Sequence, residues 1–191
     1  MLLKPSIQDQ EYSSIIFTQE LLEVREFESC IFNASDFSDL DLSHIDFIDC
    51  DFIGCNLSNV KVLDTSFRNV SFTECKLIGT DFSQIKQLVL DFQFNNCNLS
   101  FTSFDSIKMK NTRIANCLCQ EVDFSSADLS NCDFSLSDLN RAIFHRTSLI
   151  SADLSTAFNY IIDPNENRVK NAIFSRDGIH GLLEQYSITI V

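Results

Sequence analysis

FESCIFNASDFSDLDLSHIDFIDCDFIGCNL, from Phe27 to Leu57, places a large apolar residue at every fifth position. The series continues on both sides without a miss: Phe17, Leu22, Phe27, Phe32, Phe37, Leu42, Phe47, Phe52, Leu57, Val62, Phe67, Phe72, Leu77, Phe82. Five residues turn an α-helix by about 500°, or ~140° net, so these side chains would scatter around the cylinder. Along a flat strand a step of five reverses the face each time. The period suits a chain that turns a corner inside each quintet and returns every fifth side chain to one axis. That is a solenoid.

With the centre written as i, position i−2 is small or apolar, and i−1 is commonly Asp (Asp36, Asp41, Asp46, Asp51, Asp81). Alternation from i−2 to i is strand behaviour. The polar i+1 and i+2 residues suit the corner, because Ser, Asn and Asp hydrogen-bond nearby backbone. Of the 18 Phe, 14 stand at centres, so Phe is core material. Centres 20 apart match in type, as in Phe27, Phe47, Phe67 and in Phe104, Phe124, Phe144. The phase then breaks. A second series runs Phe94, Leu99, Phe104, Met109, Ile114, Cys119, Phe124, Leu129, Phe134, Leu139, Phe144, Leu149, Leu154, and its first member lies twelve residues after Phe82 where ten would keep phase. Two residues are inserted within Ser83–Gln93, which predicts a bulge or short loop on one face.

The blocks SDFSDLDLSHIDFIDCDFIGCNLSN (35–59) and SADLSNCDFSLSDLNRA (126–142) resemble the pentapeptide repeat family. That resemblance implies an all-β solenoid, a right-handed quadrilateral β-helix with four quintets in each 20-residue coil. It would occupy 17–158, with a lead-in or cap over 1–16 and a turn, helix and strand over 159–191. About 26 quintets make about 6.5 coils, a rod ~31 Å long at ~4.8 Å per coil. Within the family the chain is most similar to Qnr-type quinolone-resistance and microcin-immunity proteins, which bind DNA gyrase or topoisomerase IV as DNA mimics. The phase break followed by NCNLSFTSF (96–104) and the ending DGIHGLLEQYSITIV (177–191) carry that likeness.

The net charge is −13 with a pI near 4.4, which disfavours direct binding to nucleic acid or anionic membrane and steers basic partners. Sixteen acids face 6 bases in residues 1–98, against 11 and 8 in 99–191. From Glu26 to Asp51 there are eight acids and no Lys or Arg. Asp36, Asp39, Asp41, Asp46, Asp49 and Asp51 are therefore read as an acidic partner-binding face. Ser83, Gln84, Ile85, Lys86, Gln87, Leu88 and Asp91 of the irregular stretch are read as a second contact.

Seven of the 8 Cys occupy the small slot two residues before a centre, and Cys119 stands at a centre. Ala127, Ala142, Ala152, Thr65, Thr80, Val60 and Val70 share that slot, so the thiols read as small buried hydrophobes. Stacked strands give neighbouring Cys parallel rather than converging bond directions, and no disulfides are expected. Reduced thiols, with too short an apolar run in MLLKPSIQDQ for a signal peptide, lead to a cytoplasmic reading.

Ser175 is placed as an N-cap for a helix over Arg176–Tyr186, and Ile188–Val191 alternates as a terminal strand. Ile179, Leu182, Leu183, Tyr186, Ile188 and Ile190 are read as a homodimer surface. No nucleophile–base motif, P-loop or zinc spacing is present, and His44, His145 and His180 form no ligand pattern with Cys. No enzyme, cofactor, metal or small-molecule substrate is expected. The leading reading is a non-enzymatic DNA mimic that binds a type II topoisomerase and modulates or protects it from quinolones. The alternative is an interaction scaffold with an unrelated protein partner.

Overall fold

One residue in nearly every quintet holds a left-handed backbone, and this is what turns the corner. In the computed structural model, which describes residues 5–189, φ lies between 48° and 64° at the non-glycine corners, two residues after the centres. Asp39, Asp49, Asn59, Asn69, Asn111 and Asn131 take such positions, as do Gly54 and Gly79. Asn, Asp and Gly tolerate this conformation best, which explains the polar residue found there so often.

The coil that results is a right-handed quadrilateral β-helix of about eight turns, with every ladder parallel. The first wall stacks Ser6–Gln8, Glu26–Glu28, Asp46–Ile48 and Ser66–Arg68. The second stacks Glu11–Ser13, Ile31–Asn33, Asp51–Ile53, Val70–Thr73, Phe92–Asn95 and Ile114–Ala115. Third and fourth walls are joined by single bridges, such as Asp36 to Asn56 to Lys76 and Asp41 to Lys61.

Coiling extends beyond 17–158 at both ends. Ser6 pairs with Glu26 inside the stretch read as a lead-in, and Leu154 pairs with Phe174 inside the C-terminal stretch. About eight turns at ~4.8 Å give a rod ~38 Å long, longer than the ~31 Å of the sequence reading.

Inside, Phe27, Phe47 and Phe67 stack at 5.5 and 5.6 Å with rings 7° from parallel. Phe32, Phe52, Phe72 and Phe94 stack at 4.6, 5.1 and 5.2 Å. Neighbouring ladders meet edge to face, as Phe27 does Phe32 at 5.3 Å and 81°. Both arrangements suit the ring quadrupole.

The phase break is a local repair of this core. The first-wall sheet ends at Ser66–Arg68, and Val89, at the centre expected 22 residues after Phe67, is instead 68% exposed. Phe92 turns inward in its place, 1% exposed and 6.3 Å from the Phe67 ring. The ladder resumes when Asp91 donates its N–H to Phe67 O and accepts one from Val70.

At the C-terminus the expected helix forms as two 3-10 turns, Ile179–Leu182 and Glu184–Tyr186, rather than as α-helix. Ser175 is not its N-cap: its Oγ accepts from Gly178 N at 2.9 Å, but the 3-10 turn starts at Ile179 with Gly178 as N-cap and no side-chain cap bond. Gly178 and Gly181 weaken an α-helix, and Gly181 is held by tertiary contact. A Cβ there would lie 2.0 Å from Tyr160 O, and Gly181 O accepts from Ile162 N. Ile188 and Thr189 form no strand, and Ile190 and Val191 lie outside the described residues.

Phe52→Ala removes a ring stacked on both sides. A loss of about 3–5 kcal/mol is expected from the chemical-denaturation midpoint, and a loss under about 1 kcal/mol would contradict the packing described.

Candidate partner-binding surface

Four centres per turn send successive i−1 residues to successive walls, and this changes the acidic face. Asp36 lies on the third wall, Asp41 on the fourth, Asp46 on the first and Asp51 on the second. Asp39 and Asp49 occupy corners between them. The six form a girdle around one turn rather than a face, because a five-residue spacing that repeats a centre also rotates it by a quarter turn.

Their carboxylates have different local duties. Asp36 accepts the Ser38 N–H at 2.8 Å and Asp41 the Ser43 N–H at 2.9 Å, each closing the turn that follows. The serine hydroxyl and then its N–H hold both carboxyls below the usual carboxylate range. Asp81 does the same two turns further along the fourth wall: burial opposes its ionisation, and the Ser83 hydroxyl, Gln84 amide and Ser83 N–H outweigh burial. The corner acids are bonded to the next coil instead. Asp39 accepts from Asn59 Nδ2 at 3.1 Å and Asp49 from Asn69 Nδ2 at 2.7 Å. Asp51 accepts from the Ser71 hydroxyl. Asp39, Asp41, Asp49 and Asp51 are exposed, while Asp36 and Asp46 are half-buried.

Asp46 joins the girdle to the irregular stretch. Lys86 Nζ lies 2.8 Å from Asp46 Oδ1, and Arg68 Nη2 lies 3.9 Å from both Asp46 and Glu26. Ser83 and Gln84 belong to the 3-10 turn Phe82–Gln84, capped by Asp81. Ile85, read as a contact residue, is buried against the core and presents nothing to a partner. Gln87 replaces a missing strand rung: its Oε1 accepts from Lys108 N at 3.2 Å and its Nε2 donates to Ser106 O at 3.3 Å. Gln19 does the same for Asp41 N and O beside the 3-10 turn Gln19–Leu22. Leu88, 83% exposed, and Val89 project outward, with Asp91 exposed beside them. Val89 was not singled out in the sequence, although a β-branched residue beside an insertion is a poor fit to its left-handed φ of 60°.

At the far end, Ile179, Tyr186 and Ile188 are exposed. Leu182 packs against the core and Leu183 is half-buried, so both serve the chain's own cap. Ile190 lies outside the described residues. An open groove of about 480 Å³ on the fourth wall is lined by Asp41, Ser43, Lys61, Leu63, Asp81 and Gln84 among others. No helix among the described residues is long and apolar enough to cross a membrane.

A profile of the pentapeptide repeat region matches residues 25–92, and one of eight-copy pentapeptide repeats matches 117–155. No curated protein matches the chain in sequence. Among solved structures, two trypsin-treated variants of QnrB1, a plasmid-mediated fluoroquinolone resistance protein, align over 99% of both chains. Their identities are 17% and 18%, each with a TM-score of 0.58. HetL, a pentapeptide repeat protein involved in heterocyst differentiation regulation from the cyanobacterium Nostoc sp. strain PCC 7120, is 14% identical. It covers 93% of this chain and 90% of its own, with a TM-score of 0.50. At these identities the likeness is one of fold.

A carboxyl whose folded pKa is depressed adds stability that is present above its unfolded value, near 4, and lost as pH falls through the folded one. Asp36→Ala and Asp41→Ala should each cost about 1 kcal/mol at pH 7 and flatten the acid limb below about pH 4. Asp39→Asn and Asp49→Asn should stay within about 0.5 kcal/mol of the parent. Thermal melts from pH 2 to 7 measure both, and equal effects from all four would contradict this division.

Proposed function

The chain belongs to the pentapeptide repeat family, and on that premise we propose that it is a non-enzymatic DNA mimic. Its partner in this reading is a type II topoisomerase, DNA gyrase or topoisomerase IV, which it modulates or protects from quinolones. The observation that carries the reading is the charge along the rod. Residues 1–98 hold 16 acids against 6 bases and span about 4.6 turns, so the net charge is one per ~2.2 Å of axis. Duplex DNA carries one per ~1.7 Å. The C-terminal half, with 11 acids against 8 bases, falls far below that density.

A girdle suits this function better than a single face. Phosphates wind around a duplex, and a basic saddle that grips a duplex meets charge on several sides. The mimic's working acids are Asp39, Asp49 and Asp51, which are exposed and close no turn of their own coil. The loop tip Leu88–Val89 supplies an apolar contact, fixed at its base by Lys86 on Asp46 and by Gln87. The competing scaffold reading shares the fold but predicts no dependence on this charge.

The test is a supercoiling assay with purified gyrase. Inhibition at micromolar protein is expected, at least tenfold weaker for Asp39→Asn/Asp49→Asn/Asp51→Asn, whose fold is preserved. Unchanged supercoiling and unchanged quinolone-induced cleavage would favour the scaffold.

Self-association through Ile179, Tyr186 and Ile188 would double the rod to ~76 Å, about 22 base pairs at ~3.4 Å each. Ile179→Asp/Ile188→Asp should sediment as a monomer while the parent sediments as a dimer. Equal masses would remove this surface from consideration. Leu182 is unsuited to the test, because it packs on the core.

A further inference from the structure

The slot two residues before each third-wall centre holds Cys55, Cys75, Cys97 and Cys117 in four successive turns, all at most 2% exposed. Three of the sulfurs are oriented alike. Cys55 donates to Phe32 O at 3.2 Å, Cys75 to Phe52 O at 3.3 Å and Cys97 to Phe72 O at 3.3 Å, each to the turn before. The sulfurs therefore repeat with the ladder, ~4.8 Å apart. Outside the column an open groove of about 350 Å³ is lined by Glu74, Lys76, Asn96 and Asn98, with Cys75 and Cys97 among its lining residues. One pair of the column thus lies on the floor of a polar groove.

We propose that Cys75 and Cys97 form a two-coordinate site for a soft monovalent cation with a filled d shell, Cu(I) or Ag(I). Two metal–sulfur bonds of about 2.3 Å, the length of a zinc–thiolate bond, span ~4.6 Å end to end, which the ladder spacing matches. Soft thiolate ligands select Cu(I) over harder cations. Among the described residues no group of three or more His, Cys, Asp or Glu is placed to hold a metal together, so the coordination is pairwise. One ion binds both sulfurs, one as thiolate and one as thiol, and displaces one proton, leaving the buried site neutral. Glu74, exposed at the adjoining corner, draws the cation to the groove.

The test titrates the reduced full-length protein anaerobically with Ag(I), following native mass and thiolate-to-metal absorption with far-UV dichroism as a check of fold. One ion per folded chain is expected. Cys75→Ala and Cys97→Ala should bind at least tenfold more weakly, and Cys30→Ala/Cys50→Ala should bind like the parent. The alanines should fold, because Ala127, Ala142 and Ala152 occupy the same slot in other turns. A rise in the parent's thermal midpoint with one equivalent of Ag(I) reads the same event without a variant. No bound ion, uptake only with loss of the fold, or equal uptake by Cys75→Ala and Cys97→Ala would each overturn the site.

Discussion

One left-handed residue in every five is the constraint on which the structure rests. A non-glycine residue in that conformation is disfavoured by roughly 1–2 kcal/mol, and this coil repeats it at nearly every corner, even at His44, Phe101, Leu136 and Arg141. What offsets it is registry. Each corner delivers a centre into line with the centre one turn away, so that Phe stacks on Phe and backbone N–H groups find carbonyls one turn off. Where the corner fails, at Gln19–Leu22 and Phe82–Gln84, the chain takes a 3-10 turn, and a glutamine carboxamide nearby completes the interrupted ladder.

The same constraint fixes what the acids can do. An Asp before a third- or fourth-wall centre closes its own turn, as Asp36, Asp41, Asp81, Asp123 and Asp138 show, and beyond the phase break Asp128, Asp133 and Asp153 do so on the other two walls. Such charge comes with the motif and says little about a partner. Charge at Asp39 and Asp49 is different, because the corner needs only an αL-tolerant residue and Asn serves at Asn59 and Asn69. The excess of acids in the N-terminal half is therefore a property of this sequence rather than of the coil.

Much of the fold was legible in one sequence. A period of five leaves few backbones, and 14 Phe at centres mark the axis. The two-residue insertion was legible as a change of phase, although Phe92 filling the gap was not, since it depends on how the loop swings out. The coil's reach to Ser6 and Phe174 was hidden because Ile7 and Tyr12 depart from the Phe/Leu pattern at one end, and Asn159 and Pro164 interrupt it between Leu154 and Phe174 at the other. The candidate surface was legible in composition but not in shape. Neighbours in the one-dimensional sequence, Asp36 through Asp51, became a girdle only when four centres per turn were laid out in space. The C-terminal helix was legible as helical spacing, but the contact of Gly181 with Tyr160 that sets its geometry is tertiary.

If the N-terminal girdle mimics a duplex, the rod and DNA occupy one site on the enzyme. The most direct measurement is displacement of a fluorescent duplex from gyrase by the purified protein across a range of salt concentrations. The account predicts full competitive displacement, with affinity falling steeply and linearly in log–log form as salt rises. A ternary complex of enzyme, duplex and protein, or an affinity indifferent to salt, would contradict it.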